Sequence, residues 1–186
     1  MIYRKFFFKE LKSPEINMFV YFNPSQSVGL EAILNEWDNR HLTDTRWLAY
    51  MLATVYHETA RTMRPVEEIG KGKKYKYGQK DKETGHVYYG RGFVQLTWKD
   101  NYFKFERELG VPLVKQPELA LDLEISTRIL FDGMIKGLFT GKKLSDYFNG
   151  EQICDWYSAR KIINGLDKAG EIGIYAQKFF KSIAKI

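Results

Sequence analysis

"RWLAYMLATVYHET", residues 46–59, decides the fold. Trp47, Leu48, Met51, Leu52, Val55 and Tyr56 recur at three- and four-residue spacing, the period of an α-helix with one broad apolar face. Thr43 stands just upstream as the expected N-cap. Pro65 disfavours helix at Arg64, so the helix must stop before it. The apolar run closes on His57 and Glu58, and two further carboxylates, Glu67 and Glu68, follow in "PVEE" at 65–68. This is either an ordinary helix end with solvated charges or one wall of a catalytic cleft.

Outward from this segment the pattern stays helical. On the N-terminal side, Leu30, Ile33, Leu34 and Trp37 repeat at helical spacing after the turn-rich "FNPSQS" (22–27), with Ser27 the expected cap. On the other side, "GKGKKYKYGQKDKETGHVYYGRG" (70–92) is rich in Gly and Lys with interleaved Tyr and has no helical period. It reads as a long loop or small hairpin, and loops of this length are commonly functional. "FVQLTWKDNYFKFEREL" (93–109) resumes helical spacing and stops at Gly110, a C-terminal cap. One long or two short helices are expected over Pro117–Phe139, closed by Gly141, and a last pair over Cys154–Ile163 and Ala169–Ile183. The expected class is mainly α.

Composition narrows the class further. A chain of 186 residues with 44% hydrophobic and 16% aromatic side chains can bury a real core and is not a disordered polymer. No uncharged apolar run is long enough to span a bilayer, and the N-terminal "MIYRKFFFKELKSPEI" lacks the form of a secretory signal. A lone Cys154 rules out an intrachain disulfide and a cysteine-based zinc site; its apolar neighbours suggest a small buried hydrophobe. A net charge of +6 suits a polyanionic partner, whether nucleic acid, anionic lipid or bacterial cell wall.

There is no Gly-x-Ser-x-Gly elbow and no phosphate loop. His57–Glu58 is half of a zinc-peptidase motif, but position 61 is Arg61 where the second His is required. His41 and His86 are isolated. Carboxylates remain. A glycosidase needs one that donates a proton to the leaving oxygen and one that stays ionised to attack or to activate water. Glu58, at the end of an apolar helix beside Tyr56 and His57, suits the acid through partial desolvation. Glu67 and Glu68, beside a lysine-rich loop, suit the ionised partner. These residues alone leave a glycosidase one reading among several.

"YYGRGFVQLTWKDNY" (88–102), together with "HET" at 57–59, closely resembles the signature of glycoside hydrolase family 19, which comprises plant-type chitinases and the cell-wall endolysins of phages and prophages. "RWLAYMLATVYHET", "GMIKGLFTGKKLSDYF" (133–148) and "ARKIINGLDKAGEIGIYAQKF" (159–179) resemble the compact phage and bacterial branch, in the same order. The resemblance implies a lysozyme-like, two-lobed helical fold around a saccharide cleft, spanning residues 25–186 as one catalytic domain. Residues 1–24 would be an extension packed on or preceding it. The resemblance also implies an inverting mechanism with Glu58 as general acid. Glu68, in the proline-led stretch, is the favoured base, with Glu67 and then Glu83 behind it. Thr97 matches the position that holds the nucleophilic water, a task suited to a hydroxyl that both donates and accepts. Gln95, Asn101 and Asn164 match substrate-contacting positions. His57, Tyr89 and Arg91 complete the expected substrate-binding set, although Tyr89 and Arg91 serve equally well as braces of the loop.

Peptidoglycan and chitin both contain β-1,4-linked N-acetylglucosamine, so the resemblance leaves both open. The basic loop from Lys71 to Lys82 and the lack of a signal suit a phage endolysin, made in the host cytoplasm and released through a holin. Chitinase is the alternative, and a non-catalytic wall-binding module the second. No metal or cofactor is expected, nor nucleic acid, nor stable membrane insertion, and the expected state is a monomer.

Overall fold

The computed structural model describes residues 2–183; Met1 and residues 184–186, the outer ends of the expected extension and catalytic domain, lie outside the described residues. The fold is mainly α and lysozyme-like, as the sequence indicates. Six α-helices are ordered along the described chain: α1 (Arg4–Glu10), α2 (Pro24–Asn39), α3 (Thr45–Glu58), α4 (Lys99–Leu109), α5 (Leu123–Lys136) and α6 (Ala169–Ser182). Two minimal antiparallel ribbons complete it. In one, β1 (Val66–Glu67) pairs with β2 (Arg91–Gly92); in the other, β3 (Phe148–Asn149) pairs with β4 (Ile153–Cys154).

Helix α3 is the axis of the core. Every residue from Leu48 to Tyr56 is buried, so its apolar stripe has become a fully enclosed helix. Its main neighbour is α6. The Tyr56 ring meets the edges of Tyr175 and Phe179 at 4.9 and 5.9 Å. The N-terminal residues join the same core: Phe7 and Leu11 are fully buried, and the Tyr56 hydroxyl donates to the Met18 carbonyl at 3.0 Å. Burying a side chain such as Phe7 stabilises by about 1.5–3 kcal/mol.

Several expected boundaries move. Helix α2 starts at Pro24, and Asn23, not Ser27, caps it. Asn23 Oδ1 accepts from the Gln26 N–H at 2.8 Å, while Gln26 Oε1 accepts from the Asn23 N–H at 3.0 Å, a reciprocal capping box. The turn-like "FNPSQS" is therefore the helix's first turn. Asp44, not Thr43, caps α3 by accepting from the Arg46 N–H. The expected helix over 93–109 begins only at Lys99, because residues 91–98 fold back on themselves, with Arg91 and Leu96 exchanging backbone hydrogen bonds of 3.2 and 2.8 Å. Residues 117–139 resolve into a 3₁₀ turn (Pro117–Leu121) and α5, which Gly137 at φ 73° terminates before Gly141 is reached. The expected helix from Cys154 is instead β4 and a 3₁₀ turn (Ser158–Ile162), and Cys154 is exposed rather than buried. Helix α1, within a stretch that reads as mixed, has only Phe7 buried, so a single apolar position gave no period to detect.

No helix among the described residues is long and apolar enough to cross a membrane, and none of their His, Cys, Asp and Glu side chains cluster as metal ligands do.

Candidate active site

Glu58 is the last residue of α3. The helix ends there because the chain tightens into a turn with Ala60, Arg61 and Met63 all at positive φ (48°, 69° and 52°). Thr59 pins that turn: its hydroxyl donates to the Val55 carbonyl at 2.7 Å and accepts from the Met63 N–H at 3.1 Å. Gly29 of α2 packs against the same turn so closely that a Cβ there would lie 1.7 Å from the Met63 carbonyl oxygen. The Glu58 carboxylate itself is reached from far along the chain. Arg160 Nη1 donates to Glu58 Oε1 at 2.7 Å, with side-chain exposures of only 5% for Arg160 and 16% for Glu58. Arg160 is steadied by its own Nε, which donates to the Asp167 carbonyl at 3.1 Å. The nearby Tyr50 hydroxyl is buried without a hydrogen-bond partner, and burial holds its phenol well above the ordinary range against the opposing pull of Arg160.

Glu68 is held quite differently, by its local surroundings. The β1–β2 ribbon sets Val66 opposite Gly92 and Glu67 opposite Arg91. One residue on, the Glu68 N–H donates to the Gly90 carbonyl at 2.7 Å, and the Gly90 N–H donates back to Glu68 Oε2 at 3.0 Å. The Tyr77 hydroxyl donates to Glu68 Oε1 at 3.0 Å. Burial first, and then the adjoining carboxylate, pushes the Tyr77 phenol up to about 12, so it remains a donor across the working pH range. Gly90 packs tightly in this arrangement: a Cβ would meet Gln95 Oε1 at 2.8 Å and the Glu68 Cβ at 3.3 Å, so the Gln95 side chain would have to move. Neighbouring residues of an extended segment point to opposite faces. Glu67 accordingly takes other partners. It accepts from the Tyr89 hydroxyl and pairs with Lys71 at 3.4 Å, and the Tyr89 hydrogen bond above all holds its carboxyl below the usual range. Glu83 is 83% exposed and pairs with Lys99 in the separate 81–86 turn.

Arg91 is buried, donates through Nη1 to the Val87 and Tyr89 carbonyls and the Tyr102 hydroxyl, and lies 3.6 Å from the centre of the Tyr89 ring. In that arrangement Arg91 braces the loop from within. Gln95, at φ 53°, ties the ribbon to the fold-back through Nε2 to the Val66 carbonyl at 3.0 Å. Thr97 is half-buried; its carbonyl accepts from Asn101 Nδ2 at 2.9 Å, which orders the first turn of α4. Trp98 follows at φ 69°, an orientation costing about 1–3 kcal/mol for a non-glycine residue. Asn164 is exposed, its Oδ1 accepting from the Gly165 N–H. His57 lines a small cavity of ≈ 180 Å³ with Tyr56, Ala60, Arg61, Glu171 and Tyr175, a set that contains neither Glu58 nor Glu68. These contacts gather Glu68, Gly90, Gln95 and Tyr77 in one cluster and Glu58 with Arg160 in another.

No protein-family model matches the chain. Two endochitinases of Arabidopsis thaliana do resemble it, at 37% and 39% identity over 75 residues. The chain is related, over part of its length, to plant endochitinases. The aligned stretch is 40% of this chain and 26% of each relative, so the chain spans about a quarter of the length of the curated relatives it matches. Both are plant proteins; the likeness to the phage branch rests on the sequence motifs alone.

Two residues at these carboxylates escaped the sequence reading. Arg160 lies inside "ARKIING", next to a second cation, Lys161, and its signal was its place in a stretch whose Ala159 and Ile162 are both fully buried. Tyr77 lies in a loop that reads as solvated lysine. The signal there was the pair Tyr75 and Tyr77, whose rings a 3₁₀ turn over Lys76–Gly78 brings into a stack.

Proposed function

We propose that this chain is an inverting glycoside hydrolase that cleaves the β-1,4 bonds of an N-acetylglucosamine-containing polysaccharide, and that its substrate is bacterial peptidoglycan. The observation that carries the reading is the contrast between its two carboxylates. Glu58 is clamped through one oxygen by a buried arginine, while Glu68 accepts one hydrogen bond on each oxygen from a phenol and a backbone N–H. Arg160 occupies Oε1 of Glu58 and leaves Oε2 to carry the proton that passes to the leaving glycosidic oxygen. Each oxygen of Glu68 keeps a second lone pair. One of these takes a proton from a water that attacks the anomeric carbon from the face opposite the leaving group. Thr97, through its hydroxyl, holds that water. An inverting pair is separated by about 6.5–9.5 Å, the room one water needs.

Peptidoglycan is supported by charge. Lys71, Lys73, Lys74, Lys76, Lys80 and Lys82 are all exposed on one loop, and only Lys71 among them has an ion-pair partner at a carboxylate, Glu67. Such a loop suits the anionic stem peptides and associated polymers of a wall. This charge supports a phage-type endolysin acting after holin release. Chitin is the second reading, favoured by the names of the relatives. Turbidity loss by outer-membrane-permeabilised bacteria, measured beside hydrolysis of N-acetylglucosamine hexamers, separates the readings. Rapid lysis with slow hexamer cleavage is the expected result. The reverse establishes a chitinase, and binding to either polymer without cleavage establishes a wall-binding module.

A further inference from the structure

Around Tyr77 the loop builds a second feature. Its ring stacks on Tyr75, with centroids 5.1 Å apart and planes 15° from parallel, and meets Trp98 edge-on at 5.3 Å. Tyr75 is 57% and Trp98 48% exposed, so two large aromatic faces stand in water on either side of a half-buried third. This costs hydrophobic stabilisation, yet the backbone is shaped to maintain it. Trp98 is held at positive φ, its N–H donating to the Tyr88 carbonyl at 2.9 Å. The loop curls under Tyr77 at Gly72, where φ is +70° and a Cβ would meet the Tyr77 ring at 2.8 Å. The third ring, through its hydroxyl, grips Glu68.

We propose that Tyr75 and Trp98 are the stacking platform of a sugar subsite adjoining Glu68, and that Tyr77 is a positioning residue linking occupancy of that platform to the carboxylate. The proposal rests on the hydrolase reading for the role of Glu68. Its occupant is a sugar ring of the β-1,4 polymer. The C–H faces of such a ring carry slight positive charge and meet the negative face of an aromatic ring, while its hydroxyls stay in water. An exposed aromatic pair joined through Tyr77 to a hydrogen-bonded carboxylate has the composition of a ligand site: apolar surface with a few fixed polar groups.

The test uses the N-acetylglucosamine hexamer and purified glycan strands with Tyr75→Ala, Trp98→Ala, Trp98→Phe and Tyr77→Phe. In a Glu58→Gln background, which binds without turnover, Tyr75→Ala and Trp98→Ala should each weaken binding about tenfold or more, and Trp98→Phe should restore most of it. The indole fluorescence change on binding should vanish in Trp98→Ala while the far-UV spectrum stays parental. In the active background the same two variants should raise KM more than they lower kcat. Tyr77→Phe, which keeps the ring and loses the hydroxyl, should lower kcat with KM nearly unchanged. Parental affinity and KM in both alanine variants, with lysis intact, overturns the platform and leaves the hydrolase reading standing. Binding that depends on Tyr75 and Trp98 in a chain that cleaves neither polymer sustains the platform and defeats the hydrolase reading. No binding of either glycan by the parent overturns the platform.

Discussion

The two carboxylate corners are built by opposite means. Glu58 sits at the end of a buried helix and is fixed by a cation 102 residues away, so its geometry depends on the packing of the whole domain. Glu68 sits on an irregular segment beside an exposed loop, and its partners, Tyr77 and Gly90, lie only 9 and 22 residues away. A proton donor and a water-activating base make different demands. The donor's setting must be enclosed and rigid; the base needs access to solvent, from which its water comes. The comparison teaches that rigidity on one side comes from long-range burial, and on the other from a short ribbon and local hydrogen bonds.

The sharpest way to break this comparison is Glu58→Gln. The amide cannot donate an acid's proton, and lysis should fall on the order of 10²–10⁴-fold with the fold retained. Near-parental lysis by folded protein ends the assignment. Glu68→Gln should produce a loss of similar order and Glu67→Gln a much smaller one, because Glu67 is spent on Tyr89 and Lys71. Equal tolerance at both positions moves the base to Glu83.

Stability should separate the corners next. Arg160→Ala strips the partner from a largely buried carboxylate, a loss on the order of 3 kcal/mol. Tyr77→Phe removes one hydrogen bond at a half-exposed site, about 0.5–1.5 kcal/mol. Urea denaturation of both variants measures the difference, and equal losses contradict the contrast drawn between them.

Thr97 gives a smaller effect. Thr97→Ser keeps the hydroxyl and should retain most activity, while Thr97→Val should lose roughly tenfold to a few hundredfold, about 1.4–3 kcal/mol of barrier. Kinetics on folded proteins decide it: equal impairment in Ser and Val variants assigns the effect to the methyl and its packing.

The smallest effect belongs to the loop. The Lys99 ammonium, before the Thr84 hydrogen bonds, holds the Asp81 carboxyl down at about 2, against an ordinary 3.8. A depressed carboxyl contributes its stabilisation above the ordinary value and loses it as pH falls through the folded one. The turn over 81–86 should therefore loosen between about pH 4 and pH 2. The Thr84 amide, which donates to Asp81 Oδ1 at 2.9 Å, reports this by its NMR shift; a midpoint near 4 contradicts the clamp.

Legibility in the sequence followed burial. Helix α3 and its end at Glu58 were readable because nine enclosed positions carry the period. Gly110, at φ 68°, ends α4 where the sequence places it. The start of α4 was misread because Phe93, Val94 and Leu96 are apolar for another reason: they bury a fold-back whose turn Gln95 makes at positive φ. Cys154 was misread because its apolar neighbours belong to an exposed ribbon, where Ile153 too is largely in solvent. Arg160 was invisible as a partner of Glu58 because an ion pair across 102 residues leaves no local spacing. Tyr77 was obscured by the lysines on either side of it.

The separation of Glu58 from Arg160 also sets a clock. At about 5–20 residues per second of synthesis, roughly 5–20 s pass between the two residues leaving the ribosome's peptidyl-transferase centre. From the synthesis of Gly90 until that of Arg160, the Glu68 carboxylate has both of its local partners, Tyr77 and Gly90, while the Glu58 carboxylate has yet to meet Arg160. A growing chain therefore carries one carboxylate whose partners are already made and another whose partner is pending, and the ion pair forms only when the segment around Arg160 docks.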